Sequence, residues 1–247
     1  MASATDCGRI RSQNEDSLIA DAELGYAVLA DGMGGYNAGE VASRIAVATV
    51  DSEIRKMGAT AMAAADIEQA VAAHVAAANR AIYDAARRNA AYSGMGTTLV
   101  MALWRMNDMV TAHVGDSRLY RLRDGVLEQV TRDHSFLQEQ IDLGLIDAEL
   151  ARYAPSRNLV TRALGIEPRV DVEVHTHRTQ SGDLYLLCSD GLSDMLDERA
   201  MTATLTQGPR QLDRLAEALV HQANENGGRD NISVVLARLG APGEASR

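Results

Sequence analysis

Between residues 96 and 130 the chain carries four strand-like runs in succession: GTTLVMALW (96–104), DMVTAHVGD (108–116), SRLYRLR (117–123) and VLEQV (126–130). No helical stretch separates them, and connections this short join only antiparallel neighbours, because a parallel crossover needs a dozen or more residues. Asp124-Gly125, between the last two runs, is a hairpin signal, since both residue types tolerate the left-handed backbone of a two-residue turn. Two apolar runs inside DSLIADAELGYAVLAD (16–31) read as a second hairpin that ends on Asp31 and Gly32. Residues 38–56 and 61–90 place Val41, Ile45 and Ala48, then Ile67, Val71, Val75 and Ala78, at three- and four-residue intervals, which predicts two long amphipathic helices. Helices are also predicted over 135–145 and 209–226, and strands over 170–177, 182–190 and 231–239. Hairpin-linked strands set apart from grouped helices predict an α+β domain with antiparallel sheets covered by helices. A single domain over 1–240 with a frayed tail at 241–247 is expected, and the polar segment 146–169, with Pro155 and Pro168, is expected to be a mobile flap beside a site.

Composition removes several classes of function. Asp and Glu number 34 against 24 Lys and Arg, a net charge of −10, which argues against a nucleic-acid partner or an anionic membrane surface. No stretch approaches the ~18 apolar residues of a membrane span, and MASATDCGRIR lacks the apolar core of a secretory signal, so a cytoplasmic protein with no membrane insertion is expected. Because the chain closes soon after its last strand, any sensor or membrane domain is expected on another polypeptide. Cys7 and Cys188 have no partner spacing for a disulfide or zinc site and no C-x5-R loop, and read as small packing residues. Lys56 is the only lysine, which excludes a P-loop, a kinase-type lysine and an S-x-x-K pair.

Carboxylate chemistry remains. Glu15-Asp16, Asp31-Gly32, Asp116-Ser117, Asp190-Gly191 with Asp194, and Asp230-Asn231 all lie at ends of predicted strands. One such aspartate is ordinarily a turn or helix cap. Five groups together would repel one another unless divalent cations offset the charge, and all-oxygen ligands select Mg²⁺ or Mn²⁺. His175 and His177 point to the same side of a strand, and an edge strand explains them better than a metal pair. The glycines of DGMGGYNAGE contain no G-x-G-x-x-G nucleotide loop.

The motifs GRIRSQNED (8–16), LADGMGG (29–35), GTT (96–98), VGDSRLY (114–120), TRDHS (131–135), LCSDGLSD (187–194) and GGRDNIS (227–233) give the chain a resemblance to the metal-dependent protein serine/threonine phosphatases of the PP2C type, most closely the bacterial single-domain members. The resemblance implies a four-layer αββα sandwich, two central antiparallel β-sheets flanked by helices, with two Mn²⁺ or Mg²⁺ ions at one end. It implies that Asp31 bridges the metals with the Gly32 carbonyl on one of them, that Asp190 and Asp230 complete the other, and that Glu15 and Asp16 hold the metals or their waters. Asp116 and Asp194 match the residues of a third, weaker site, and Arg11 matches the arginine that grips the substrate phosphate. The chemistry so implied is hydrolysis of phosphoserine and phosphothreonine in proteins by a metal-activated water, reversing a cognate Ser/Thr kinase. Met33 departs from the pattern, because many eukaryotic members have a histidine there that is proposed as the general acid. Two rival readings, a phosphoprotein-binding module without metals and a nuclease or small-phosphoester hydrolase, are disfavoured by the intact aspartates and by the acidic charge balance respectively.

Overall fold

The computed structural model describes residues 1–34, 38–58, 64–147 and 159–240. Two antiparallel sheets form its centre. The first contains β1 (Ala2–Asp6), β7 (Arg118–Arg123), β8 (Val126–Gln129), β10 (Leu184–Cys188) and β11 (Ile232–Arg238), in the spatial order β1-β11-β10-β7-β8. The second contains β2 (Asp16–Asp21), β3 (Tyr26–Met33), β5 (Leu99–Arg105), β6 (Asp108–Val114) and β9 (Glu173–Arg178), in the order β2-β3-β5-β6-β9, with the short β4 (Gly96–Thr97) also paired to β3. Helices α1 (Ala38–Met57) and α2 (Ala64–Arg88) cover the second sheet. Helices α4 (Asp190–Ser193), α5 (Glu198–Gln207) and α6 (Leu212–Glu225) cover the first, and the short α3 (Phe136–Asp142) follows β8.

Side-chain alternation explains the layering. Tyr26, Val28 and Ala30 of β3 pack with Ala42, Ala46, Val50 and Ile54 of α1 and with Val71, Val75 and Ile82 of α2. Their neighbours Ala27 and Leu29 face the other way and join Val100, Tyr185, Leu187 and Val235 between the two sheets. On the far side, Leu186, Cys188, Val234 and Leu236 meet Leu215, Leu219 and Ala223 of α6. Three apolar seams therefore hold four layers, the αββα sandwich expected from the sequence, because strands buried on both faces leave no solvent side on which to place polar residues.

Several local expectations change. The run 96–104 breaks at Thr98, whose hydroxyl and amide both bind the backbone of Asp31. β9 begins at Glu173 rather than at residue 170, and β1 and α5 were not foreseen. Asp124 and Gly125 adopt φ of 52° and 79°, the left-handed pair a tight hairpin needs. Within the segment 146–169, residues 159–169 are anchored rather than free. Thr97 and Leu164 exchange both backbone hydrogen bonds, Gly165 N donates to Asn79 Oδ1 at 2.7 Å, and Thr161 N donates to His134 O at 2.8 Å. The remaining flap residues 148–158, like the tail 241–247, lie outside the described residues.

Candidate metal centre

Strand pairing brings the acidic residues to one end of the sandwich. In the β2–β3 ladder Asp16 stands directly opposite Asp31. Counting by twos from Leu18 and Leu29, both side chains fall on the face that looks across to the first sheet. From that sheet Ser189, which continues the alternation of Tyr185 and Leu187, donates its hydroxyl to Asp16 Oδ2 at 3.0 Å. Asp190 follows immediately in the first turn of α4, and Asp230 immediately precedes the segment leading into β11. α4 approaches that segment closely because residue 191 is glycine: a Cβ there would lie 2.0 Å from the carbonyl oxygen of Asn231. Gly32 is constrained in the same way, since a Cβ would lie 2.2 Å from Gly39 O and 2.6 Å from Glu15 O.

Burial and mutual repulsion set the electrostatics. Burial, then the charges of Asp16, Asp190, Asp116 and Asp230, hold the Asp31 carboxyl well above the usual carboxylate range. Asp190 is displaced the same way by burial and by Asp116, Asp230, Asp194 and Asp16. Burial pushes Asp16 up to about 6 against the hydrogen bonds of Ser233 and Ser189, and pushes Asp116, with help from Asp133, up to about 6. Asp16 Oδ1 and Asp190 Oδ1 are buried without a hydrogen-bond partner. Buried acceptors amid like charges are costly unless a cation satisfies them, so the donor set fits hard divalent ions. Glu15 differs: burial raises it, while Arg11 and the backbone N–H groups of Glu40 and Gly39 at the start of α1 favour its charged form.

Arg11 lies at the rim, 53% exposed, and its Nη2 donates to Asp230 Oδ2 at 2.8 Å. The ion pair is thus with Asp230, not with the i+4 residue Glu15. Asp116 sits in the turn after β6, where Gly115 adopts φ 103° and a Cβ would meet Thr98 Cγ2 at 2.7 Å. Met33 closes β3, paired with Gly96 of β4.

Among the described residues, His113, His134 and Glu173 bring three potential ligand atoms within 4.8 Å of one another. Gly115 N donates to His134 Nδ1 at 3.1 Å, which leaves the ring proton on Nε2, facing Glu173 Oε2 at 3.1 Å. That ring is a hydrogen-bond bridge tying the Asp116 turn to β9. His175 and His177 lie on the edge strand β9, with His175 Nε2 on Glu173 Oε1 at 2.9 Å. Burial pushes the Cys188 thiol up to about 12, which leaves it a packing residue.

Sequence reasoning overlooked Ser189, Thr98 and Asn231 as contributors, although all three lie inside quoted motifs. Ser189 and Asn231 are short polar residues beside aspartates, whereas Thr98 has no such neighbour, and only the structure shows which groups the three hold.

Known proteins resemble this chain in sequence and in fold. A family profile described as Protein phosphatase 2C matches residues 9–236. The serine/threonine phosphatase stp of Listeria monocytogenes is 40% identical over 235 residues, covering 94% of this chain and 92% of its own. The crystal structure of the Mycobacterium tuberculosis serine/threonine phosphatase PstP/Ppp superposes with a TM-score of 0.88 at 38% identity, covering 97% of this chain and 98% of that one. A PstP catalytic domain in complex with two manganese ions superposes with a TM-score of 0.85 at 37% identity, covering 97% of each chain. Matched over nearly its whole length by profile, sequence and fold, the chain belongs to the protein phosphatase 2C family.

Proposed function

We propose that this phosphatase releases phosphate from phosphoserine and phosphothreonine in proteins, using Mn²⁺ or Mg²⁺ held by Asp16, Asp31, the Gly32 carbonyl, Asp190 and Asp230. Asp116 and Asp194 are assigned to a further, weaker cation. When bound, such a cation pair supplies an acidified water as nucleophile and neutralises charge on the phosphoryl group. The chain's own residues do the rest. Burial and mutual repulsion favour a proton on Asp31 and Asp190 in the metal-free protein, so a cation binds there by displacing protons. Arg11, on an exposed loop, offers a planar fork to two phosphate oxygens. Glu15, seated on the first turn of α1, holds that loop against the strand end. Residues 1–240 are proposed to fold as one unit, with a Ser/Thr kinase of the same cytoplasm supplying the substrates.

The observation that carries this function is the pair of buried, unpartnered oxygens on Asp16 and Asp190 among mutually repelling carboxylates. Phosphate release from a phosphothreonine peptide, measured with Mn²⁺ and with EDTA, tests it. Release that requires Mn²⁺ is expected, whereas undiminished release in EDTA would overturn it.

A further inference from the structure

Asn231 has no acid–base chemistry, yet its carboxamide is placed at the centre of the loop that carries Arg11. The residue is 4% exposed. Its Oδ1 accepts the Glu15 N–H at 2.8 Å, which fixes the orientation of the amide. Both Nδ2 hydrogens are then spent on main-chain carbonyls, Cys7 O at 3.0 Å and Gln13 O at 2.8 Å. These carbonyls bracket Arg11 from four residues before it and two after it. At the loop's start, Arg9 N also binds Gly228 O at 2.7 Å, but between Cys7 and Gln13 the Arg11 side chain reaches out to Asp230. Asn231 N in turn donates to Asp230 Oδ1 at 2.9 Å, so one dipeptide orients both partners of the Arg11–Asp230 pair.

We propose that Asn231 is a positioning residue for substrate phosphate: it holds the 7–15 loop so that the Arg11 guanidinium stands over the metal centre. The proposal rests on Arg11 being the phosphate-gripping residue. Asparagine is required because the position needs one acceptor and two donors in a fixed fork. Aspartate has the same shape but turns a second oxygen towards the carbonyls of Cys7 and Gln13. Asp16 is anchored independently by the β2–β3 ladder and by Ser189, so the effect belongs to substrate binding before it belongs to the metals.

The test is a double-mutant cycle on the Mn²⁺-saturated full chain, with Asn231→Asp, Arg11→Ala and the double variant assayed on one phosphothreonine peptide. Asn231→Asp is expected to raise KM about tenfold with kcat changed less than about threefold, and to add less than about twofold to KM in the Arg11→Ala background. Asn231→Ser, which removes the donated bonds without adding charge, should show the same dependence on Arg11 and serves alone if Asn231→Asp does not fold. Equal KM increases in both backgrounds, or an unchanged KM in Asn231→Asp and Asn231→Ser while Arg11→Ala raises it, would overturn the positioning role alone. An unchanged KM in Arg11→Ala would overturn the phosphate-gripping role of Arg11 and the inference with it.

Discussion

Arg11 Nη2 and Asp230 Oδ2 meet at 2.8 Å across 219 residues of sequence, which joins the first loop of the chain to the turn before its last strand. Asp230 is a candidate metal ligand, so the guanidinium and a cation compete for one carboxylate. Hydrogen bonds to charged groups contribute about 1.5–3 kcal/mol, so losing the proposed phosphate contact in Arg11→Ala corresponds to an increase in KM of about tenfold to a hundredfold. Mn²⁺ affinity, measured by calorimetry, is expected to stay the same or to tighten, because Asp230 loses a competitor. Weaker Mn²⁺ binding in this variant would count Arg11 as part of the metal site.

Asp31→Asn and Asp190→Asn are each expected to lower metal-dependent kcat roughly a hundredfold or more. The metal-free variants should melt no lower than the parent, since each substitution removes a repelling charge from a buried cluster. Thermal melts in EDTA beside Mn²⁺ titrations separate the two effects. A kcat near the parent value at low Mn²⁺ would remove that residue from the ligand set.

Asp16 and Asp116, both raised to about 6 from an ordinary value near 3.8, give the EDTA-treated protein a definite pH dependence. Between about pH 4 and pH 6 the native carboxyls still hold protons that the unfolded chain has released. Stability therefore falls as pH rises through that interval and is unaffected by these groups below it. The melting temperature in EDTA should drop by several degrees from pH 4.5 to pH 7, and Asp16→Asn should flatten the slope. Millimolar Mn²⁺ at pH 7 should restore the loss, because a cation then offsets what protons offset at lower pH.

Gly191→Ala forces a methyl against the carbonyl of Asn231, whose oxygen would lie 2.0 Å from the added carbon. α4 must move away from the 230–231 segment, at a cost of about 1–3 kcal/mol by the measure of overpacked cores. Asp190 moves with it. A coupled fall in melting temperature and Mn²⁺ affinity is expected, and a loss of stability with unchanged Mn²⁺ affinity would show that Asp190 does not depend on this contact.

Met33 has no proton to give to a departing seryl oxygen, so leaving-group protonation must come from elsewhere. The charge of Asp194 helps to raise Asp116, and the charges of both help to raise Asp190. If this pair supports protonation, Asp116→Ala and Asp194→Ala will slow phosphopeptide hydrolysis much more than hydrolysis of p-nitrophenyl phosphate, whose leaving group departs unaided. Equal losses in kcat on both substrates would assign the pair to positioning instead.

The long features of the fold are legible because they repeat. α1 and α2 announce themselves by apolar spacing, and the β7–β8 hairpin by Asp124-Gly125. β1 is not legible in this way, since ASATD has no apolar alternation and becomes a strand only by pairing with β11. α5, ERAMTATLTQ, is rich in threonine, and its helix is secured by the Asp197 cap and by burial of Met201 and Leu205 rather than by propensity. At the candidate site the aspartates stand out through their strand-end positions and small neighbours. Asn231 and Ser189 do not, because what they hold lies far away in sequence: Cys7, Gln13 and Glu15 for one, Asp16 for the other. Hydrogen bonds from a side chain to remote backbone leave no periodic trace.

The seam between the sheets also has a mechanical meaning. Asp16 and Asp31 hang from one sheet, while Asp190 and Asp230 belong to the other, and Leu29, Val100, Leu187 and Val235 fill the gap behind them. The bulk of those apolar side chains works as a spacer block that sets how far apart the two halves of the candidate site stand. A cavity cut at Leu187, inside that block, would let the two sheets settle closer together and so reach the candidate site through the interior.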